Sequence, residues 1–399
     1  VRELAATWNL PLMKKPIAFE GGRLEQSVLD AGVERIGIKG MAGVKRGLTF
    51  GRGSDGSSVT DVAMYGYTDG IALWMTSGVN TVQNSFIGMA DDGTKVENRL
   101  GLVLSSPRAV NNLIGGSDFD EKGGNVFTAN RAAGVFIVNS ATGNRVYGNH
   151  IEGNGDGLRI KNATGNYVGA ATASGIETGA SNTIVNNRES GVLVYKSNSG
   201  TLTTANRIEN NVISGNQGGA RLNVGPGAGV LIVESKNVVV GGLSQDSGNT
   251  ITLNAEGVRV VDSESVRIAG NAIGVSFNRA SGLGNTGHGI HTERSTNVEV
   301  IGGNTIAGNA GDGVAIDEGS TGVRVVGNSI GLFKTGTAAG NAGDGISVNN
   351  AIGNTIGVNK IANNLSNGVR LADGKATTLS GGNRLLGAEI FGNHGAGVQ

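Results

Sequence analysis

Cysteine is absent from the 399-residue chain, and proline occurs only 4 times. No disulfide can therefore stabilise the fold, which suits a secreted or surface protein that needs none and equally suits a cytosolic one. Aromatic residues make up only 4% of the chain, so a core must be built from Val, Ile and Leu rather than from rings. Apolar runs stay short of the length needed to cross a bilayer, which predicts no membrane span.

Net charge is missing too, because 32 basic residues offset 32 acidic ones. Without net charge the protein has no long-range field that would draw it to nucleic acid or to an anionic membrane. Nucleic acid is therefore excluded as an expected partner, and any charged ligand must be met by a local cluster of side chains.

Glycine is what the chain has in abundance, with 71 residues. They follow no Gly-X-Y period, which excludes collagen. Many precede a short strand pattern in which glycine is followed by an apolar, any and an apolar residue. The pattern recurs at intervals of about 23 to 38 residues, as expected of a repeat architecture. It begins at Gly70, Gly101, Gly134, Gly157, Gly191, Gly229, Gly257, Gly289, Gly313, Gly345 and Gly368.

A second pattern, Asn-x-Ile or Asn-x-Val, lies between these glycines, as at Asn144 and Asn149. Short strands separated by Gly and Asn corners make the chain turn every half dozen residues, because both residue types adopt left-handed backbone angles. The sequence therefore predicts an all-β solenoid of roughly 12 to 14 coils with three short sheets per coil and loops inserted at one corner. Stacked coils would place ladders of Val and Ile inside and ladders of Asn at the corners.

These residues resemble a right-handed parallel β-helix of the pectate-lyase-like type. More narrowly, they are similar to the long secreted bacterial repeat proteins whose coils read Asn-x-Ile-Gly, a loop, then Asn-x-Gly-Asp-Gly-Val-x-Ile. Three loops match, beginning at Asn84, Asn271 and Asn328. The resemblance implies the fold but not the activity, because this scaffold carries lyases, hydrolases, epimerases, adhesins and stalks alike.

The domain organisation follows from the extent of the repeat. Residues 1–16 are predicted to form a short helix or irregular segment that caps the first coil, or the remnant of a preceding module. Residues 17–399 are predicted to form a single β-helix domain. Because the strand pattern stops just after Gly397, we expect the native chain to continue beyond Gln399.

Outward positions of the repeated strands carry rings and cations, which predicts a ligand-binding surface. Aromatic faces stack on sugar rings, and guanidinium groups pair with carboxylates, so an acidic polysaccharide is the expected ligand. The alternative is that loops or another chain cover these residues. The predicted binding residues are Trp74, Phe136, Arg159, Lys161, Tyr195, Arg259, His291 and Glu293.

Arg159 and Lys161 are also candidate catalytic residues, because a basic group removes the proton beside a carboxylate in a uronate lyase. The string from Leu158 to Lys161 resembles the Arg-Ile-Lys box of polygalacturonases, but the other boxes of that family are missing or out of order. The Asp-Pro-His string of β-helix epimerases is also missing.

Carboxylates in two inserted loops offer a second catalytic alternative, since glycoside hydrolysis needs a pair of them. Asp91 and Asp92 lie in one loop, and Asp118, Asp120 and Glu121 lie in the next. Tyr65, Tyr67, Asp69 and Trp74 lie close by in the sequence, so a groove is expected between Tyr65 and Lys161. Solvated loop charge is the alternative interpretation.

His288, His291 and Glu293 form the densest titratable cluster in a chain with 4 histidines. A His-Glu pair acts as a base with its orienting group, or binds a metal if a third ligand is present, but an outward polar pair is the simpler interpretation. The Gly-Asp-Gly corners at Asp156, Asp312 and Asp344 are expected to bond their own backbone rather than calcium. No cofactor or metal is therefore predicted, with calcium as the alternative.

Taken together, the patterns predict an extracellular or cell-surface adhesion or structural module. Its expected partners are a polysaccharide, a host or neighbouring surface, and further domains of the same chain. The alternative is a polysaccharide-active enzyme, either a uronate lyase or a glycoside hydrolase, with its groove between Tyr65 and Lys161.

Overall fold

A computed structural model gives the fold of the chain. It describes residues 3–6, 12–13, 18–20, 35–41, 43–116, 124–169, 181–219, 222, 224–244, 246–276, 283–333, 335–372 and 382–399. The chain divides into two compact units, Val1–Arg188 and Glu189–Gln399. In the described part of the chain, no helix is both long and apolar enough to span a membrane.

The first unit contains 2- to 9-residue strands that follow one another around each coil. In chain order they are β1 (Glu3–Ala6), β2 (Leu12–Met13), β3 (Ala18–Glu20), β4 (Ile36–Gly40), β5 (Arg46–Phe50), β6 (Ser58–Thr60), β7 (Val62–Tyr65), β8 (Ile71–Met75), β9 (Thr81–Gln83), β10 (Phe86–Ile87), β11 (Asn98–Ser105), β12 (Leu113–Gly115), β13 (Val126–Thr128), β14 (Asn130–Val138), β15 (Arg145–Tyr147), β16 (His150–Glu152), β17 (Asp156–Lys161), β18 (Tyr167–Val168) and β19 (Thr183–Val185).

The second unit continues the same pattern of strands and adds a short 3-10 helix at Leu202–Thr204. Its strands are β20 (Val192–Tyr195), β21 (Asn206–Ile208), β22 (Val212–Ser214), β23 (Val230–Val233), β24 (Val238–Gly241), β25 (Thr250–Thr252), β26 (Val258–Val261), β27 (Arg267–Ala269), β28 (Ala272–Ile273), β29 (Ile290–Glu293), β30 (Glu299–Ile301), β31 (Thr305–Ile306), β32 (Val314–Asp317), β33 (Arg324–Val326), β34 (Ser329–Ile330), β35 (Ile346–Asn349), β36 (Thr355–Gly357), β37 (Lys360–Ala362), β38 (Val369–Ala372), β39 (Arg384–Leu386) and β40 (Glu389–Phe391).

Within each unit every strand pairs in parallel with the third strand before it and the third after it, which makes three sheets. In the first unit these are sheet A (β1-β4-β7-β10-β13-β16-β19), sheet B (β2-β5-β8-β11-β14-β17) and sheet C (β3-β6-β9-β12-β15-β18). In the second unit they are sheet A (β22-β25-β28-β31-β34-β37-β40), sheet B (β20-β23-β26-β29-β32-β35-β38) and sheet C (β21-β24-β27-β30-β33-β36-β39). The predicted all-β solenoid with three short parallel sheets per coil is therefore confirmed.

Inserted segments interrupt the coils. Two hairpins, bridged between Met89 and Lys95 and between Leu332 and Ala338, both lie between a strand of sheet A and the next strand of sheet B. A turn closed by the bond from Ser247 N to Ser244 O lies at a different corner, between sheets C and A. Insertions are thus most evident at the A-to-B corner but are not confined to it.

The core consists of like residues stacked on like residues, as the alternating strand pattern predicts. In sheet B of the first unit, Leu73, Leu102, Val135 and Leu158 occupy one register position and are completely buried. Each coil therefore contributes aliphatic side chains to the inside, where an unexposed leucine or valine stabilises the fold by roughly 1.5–3 kcal/mol.

The repeat that was predicted to begin at Gly70 begins two residues later, at Ala72. Gly101 lies opposite Ala72 rather than Gly70, because Leu102 pairs with Leu73 and Leu104 pairs with Met75. Ile71, expected inside, therefore lies on the outward face and is half-buried. Trp74 keeps its predicted outward position.

Strands within residues 1–16 differ from the helix or irregular segment expected there, whereas the role predicted for this segment, a cap or the remnant of a preceding module, stays a prediction. Within that segment, β1 pairs in parallel with β4, and β2 pairs with β5. The helical spacing of a few apolar residues is overridden by pairing to the next coil. The prediction that 17–399 form one domain is not tested by these contacts.

Buried asparagines form hydrogen-bonded ladders along the corners, as predicted. Asn271 is representative: its Oδ1 accepts bonds from Asn249 N and Nδ2 at 3.0 and 2.9 Å. Its own N and Nδ2 donate to Asn304 Oδ1 on the next coil at 2.9 and 3.1 Å. Nδ2 also reaches Val240 O and Ala269 O, both at 3.0 Å. The buried amide of each ladder asparagine thus satisfies backbone groups that the corner leaves unpaired.

We expect Asn271→Ala to lower the free energy of unfolding by on the order of 3 kcal/mol, because several buried donors and acceptors lose their partner at once. Equilibrium denaturation followed by circular dichroism measures the change. Asn297→Gly is the control, since Asn297 is exposed and its φ of 54° suits glycine, so its stability should stay close to wild type. Equal loss in both variants would contradict a structural role for the ladder.

Candidate functional site

Sheet B of the first unit carries an apolar strip on its outward face. Trp74, Val103 and Phe136 lie at one register position of successive strands, followed by Arg159. Val103 is buried at 3% exposure, whereas the rings of Trp74 and Phe136 on either side are half-buried. Leu100, Ala133 and Ile71 pack against them. We call these six apolar residues the aromatic strip.

Guanidinium groups lie over both rings of the aromatic strip. The Cζ atom of Arg46, an exposed residue, is 3.3 Å from the centroid of Trp74. Arg159 Cζ is 5.5 Å from the centroid of Phe136. The strip therefore combines a flat apolar surface with positive charge at both ends, and the indole Nε1 of Trp74 is buried without a hydrogen-bond partner among the described residues.

Arg159 is held in place by a buried carboxylate, which bears on its predicted catalytic role. Its Nε donates to Asp156 Oδ2 at 2.8 Å, Nη2 contacts the same oxygen, and Nη2 also donates to Ala132 O at 3.1 Å. Asp156 is only 1% exposed. Arg159 is thus a fixed cation rather than a free proton acceptor. Lys161 is exposed at the end of the same strand, in register with Val138.

Two tyrosines expected to line a groove lie inside the protein instead. Tyr65 is 3% exposed and Tyr67 is fully buried, packed against Gly40 and Gly47. Burial raises the pKa of Tyr67 to about 12. The two tyrosines therefore do not line the groove predicted between Tyr65 and Lys161, because both rings are buried. Trp74 is half-buried on the outward face, and Asp69 is exposed.

The two carboxylates of the first inserted loop differ. Asp91 is half-buried and its Oδ1 makes no hydrogen bond among the described residues, whereas Asp92 belongs to a tight turn. Asp92 Oδ1 accepts a hydrogen bond from Thr94 N at 2.9 Å, and this bond lowers the pKa of Asp92. Such a bond is what an aspartate contributes to a turn. Asp118, Asp120 and Glu121 lie outside the described residues, so the predicted pairing of the two acidic loops stays a prediction.

In the second unit, loop residues cover the outward apolar positions. Leu193, Leu231 and Val233 are at most 2% exposed and pack with Leu222 and Val224 of the inserted segment. Tyr195 is partly buried against the same cluster, with Lys196 Nζ 5.0 Å from its ring centroid. The alternative interpretation, in which loops cover these residues, therefore holds for this part of the chain.

Arg259 contacts both the inserted segment, at Pro226, and a cluster of charged residues. It is 6% exposed; its Nη1 donates to Pro226 O at 3.1 Å, and its Nη2 donates to Glu293 Oε2 at 2.7 Å. Its Nε lies 3.6 Å from Glu256 Oε2. The predicted binding residue Arg259 is therefore occupied by the protein's own groups.

His291 lies between two carboxylates from neighbouring coils. Its Nδ1 is 3.2 Å from Glu256 Oε1, and its Nε2 is 3.1 Å from Asp317 Oδ2. Burial acts to lower the pKa of His291, but Asp317 and Glu256 outweigh it and raise the pKa to about 9. The imidazole is thus a cation at neutral pH in this arrangement.

Glu293 is not the partner of His291 that the sequence suggested. Arg259 and Arg294 both bind its carboxylate and, against the effect of burial, lower its pKa. The reason is the parallel register, which places Arg259 directly opposite His291 and Asp317 opposite Glu293 on the adjoining strands. Sequence reasoning missed Glu256 and Asp317. Glu256 precedes Gly257 just as His288 precedes Gly289, and that shared position was a usable signal.

The corner residues before the strand glycines bond to the next coil and not to their own backbone. His288 Nδ1 accepts from Asp312 N at 3.0 Å, and Asp312 Oδ1 accepts from Asp344 N at 2.6 Å. Asp344 Oδ1 accepts in turn from Asn367 N at 2.8 Å. The prediction of local turn bonds at Asp312 and Asp344 is wrong, because stacking brings the backbone of the following coil closer than their own. Calcium at these corners remains untested.

We expect His291 to make the stability of the protein depend on pH. Its pKa is about 9 in the folded state and about 6.5 when unfolded, so its contribution is fully present below pH 6.5 and is lost as pH rises through 9. The free energy of unfolding of wild type minus that of His291→Gln should therefore fall by on the order of 3 kcal/mol across that window. Denaturation curves recorded with a chelator present test this, and parallel curves for the two proteins would contradict it.

Comparisons with known proteins bear on the fold. By sequence, no curated protein matches the chain. Among solved structures, the mannuronan C-5 epimerase AlgE6 A-module of Azotobacter vinelandii is similar at 14% identity and a TM-score of 0.41, over 100% of this chain and 87% of that one. The Dettilon tailspike protein is similar at 14% identity and a TM-score of 0.45, over 90% and 63%. The periplasmic alginate epimerase AlgG is similar at 13% identity and a TM-score of 0.42, over 94% and 73%.

The family assignment rests on the sequence model of the right handed beta helix region, which matches residues 69–273, just over half of the chain. The matched segment carries the repeated glycine corners, the stacked aliphatic core and the asparagine ladders described above. Together with the three parallel sheets of each unit, this match shows that the chain belongs to the right-handed β-helix family.

Proposed function

We propose that this β-helix is an extracellular polysaccharide-binding module that holds an acidic glycan against the aromatic strip of its first unit. The observation that carries the proposal is the placement of Trp74 and Phe136 on one outward register position, each with a guanidinium group over its ring.

Shape and polarity of the strip suit a pyranose ring. The C–H face of a sugar is apolar and flat, and it packs on aromatic side chains while its hydroxyl groups stay in water. Val103 fills the space between the two rings, so the three side chains form one packed cluster rather than a pair of isolated rings. Successive strands are about 4.8 Å apart, which places Trp74 and Phe136 two strands, or roughly 10 Å, from each other. That span accommodates two consecutive sugar units.

Positive charge at the strip favours a uronate or sulfated chain over a neutral one. Arg46 is exposed and stacked on Trp74, so it can turn toward a carboxylate at the cost of a cation–π contact worth about 0.5–1 kcal/mol. Lys161 is exposed at the other end of the strip. Because the whole chain has a formal net charge of 0, this local arrangement and not a global field would select the anion.

Binding is favoured over catalysis at this surface by what the candidate catalytic groups already contact. Arg159 is tied to the buried Asp156, and Asp92 accepts the backbone bond of its own turn. A general acid or base works best when it is free to exchange a proton with the substrate, and Arg159 and Asp92, two of the four candidates, already have partners within the protein. We therefore propose that the module adheres to the glycan. The alternative is that it is a lyase or a hydrolase.

We expect Trp74→Ala to weaken binding to an acidic polysaccharide about tenfold, since a lost stacking contact of about 1.4 kcal/mol corresponds to that factor. Calorimetric titration with oligogalacturonate and oligomannuronate, and with a neutral dextran, measures it. Arg46→Gln should reduce affinity for the acidic ligands alone and flatten their salt dependence.

Phe391→Ala is the matched control, because Phe391 is a ring 51% exposed on sheet A of the second unit, outside the strip. Its affinity should equal that of wild type. Equal affinity in Trp74→Ala and wild type, or equal binding of dextran, would contradict the proposal. Unsaturated products or new reducing ends in the same samples would favour the enzyme alternative.

A further inference from the structure

We propose that Glu256, His288 and His291 of the second unit form a binding site for one divalent transition-metal ion with the ligand preference of Zn²⁺. One ligand atom from each of the three side chains lies within 4.8 Å of the other two. The three residues come from two consecutive coils of sheet B and its corner, so the parallel stacking creates the cluster. The site is independent of the aromatic strip and of glycan binding.

Geometry at the closest pair suits a metal. Bonds of about 2.0–2.1 Å in a tetrahedral Zn²⁺ site place adjacent ligand atoms roughly 3.3 Å apart. The separation between His291 Nδ1 and Glu256 Oε1 is 3.2 Å. A metal bridging these two atoms therefore needs only small side-chain movements. Three protein ligands leave a fourth position for water.

One carboxylate oxygen at this place lacks a donor. Glu256 Oε2 is buried and makes no hydrogen bond among the described residues, although Arg259 Nε lies 3.6 Å away. His291 Nε2 already faces Asp317 Oδ2 at 3.1 Å. The side chain of Glu256 is only 9% exposed. A buried carboxylate oxygen without a donor is costly, and coordination of a cation removes that cost.

The balance of charge around the imidazoles also favours a cation. Glu256, Asp312 and Asp317 surround His288 and His291, with their contacts at 3.1–3.6 Å. Arg259 contacts Glu256, with Nε 3.6 Å from Oε2, but its Nη2 pairs with Glu293, which Arg294 also binds. Arg294 also pairs with Asp262 and Glu318. A buried excess of negative charge requires compensation, which a divalent ion supplies more fully than a single proton.

Ligand chemistry selects the class of ion. Two imidazoles with one carboxylate suit Zn²⁺ and its neighbours Co²⁺ and Ni²⁺, whereas Ca²⁺ prefers six to eight oxygens. Asp317 beside the second ring nitrogen of His291 has the place that an orienting carboxylate takes in carboxylate–histidine–zinc arrangements. Glu256, and not the Glu293 that the sequence grouped with the two histidines, supplies the carboxylate, because Arg259 and Arg294 already bind Glu293.

The direct test is titration of the full chain with ZnCl₂ against a competing chelator, followed by calorimetry. We expect one Zn²⁺ per chain and no competition from excess CaCl₂. His291→Gln and Glu256→Gln should each weaken binding by about 100-fold, near the upper end of what changes around a metal site produce. His150→Gln is the matched control, since His150 also contacts a glutamate, Glu152 at 3.1 Å, but is not part of a three-ligand group. It should leave Zn²⁺ affinity unchanged.

A second measurement keeps the test decisive if a variant folds poorly. Co²⁺ added to wild type should give the intense visible bands of a four-coordinate site, and ZnCl₂ should bleach them. Absence of Zn²⁺ uptake by wild type would overturn the proposal. So would uptake that His291→Gln retains or that His150→Gln removes, or a Co²⁺ spectrum like that of the hydrated ion.

Discussion

Inter-coil hydrogen bonding at the corners is the constraint on which the rest of the structure depends. Each buried asparagine accepts from one coil and donates to the next, as Asn254 does between Asn216 and Asn285. A slip of one residue would leave both the backbone and the amide groups of a corner unpaired in the interior. The ladders therefore fix the register, and the register decides which side chains meet on every face of a coil.

Contacts on the outward face follow from that register rather than from closeness in sequence. His291 lies two residues before Glu293, yet its carboxylate partners are Glu256 of the preceding coil and Asp317 of the following one. The same rule places Trp74 beside Val103 and Val103 beside Phe136. Each coil contributes a few outward side chains, and stacking converts those single contributions into extended apolar or charged surfaces.

The sequence was sufficient to predict the coils, their three sheets, the aliphatic core and the asparagine corners, because glycine, asparagine and period-2 alternation report directly on local geometry. It was insufficient for contacts that depend on the frame of individual strands. The frame at Gly70 was misplaced by two residues, since the residues before Leu73 also fit the apolar pattern. Tyr65 and Tyr67 were expected to line a groove, although both are buried, because the sequence does not show which face of a coil each ring occupies. Glu256 escaped notice because it lies 35 residues from His291.

One scaffold thus carries two chemically opposite surfaces, and the difference lies in only a few outward positions. On sheet B of the first unit these positions hold rings and aliphatic side chains, whose burial needs no partner and leaves a surface open to an apolar ligand face. On sheet B of the second unit they hold Arg259, His291, Glu293 and Asp317, whose burial is costly unless each charge is matched. Matching requires a fixed set of neighbours, so the charged surface tolerates substitution less than the apolar one. Where they are matched, these charges also contribute to stability, as the raised pKa of His291 indicates. The half-buried rings of the apolar surface need no such matching, because they carry no charge that burial must compensate.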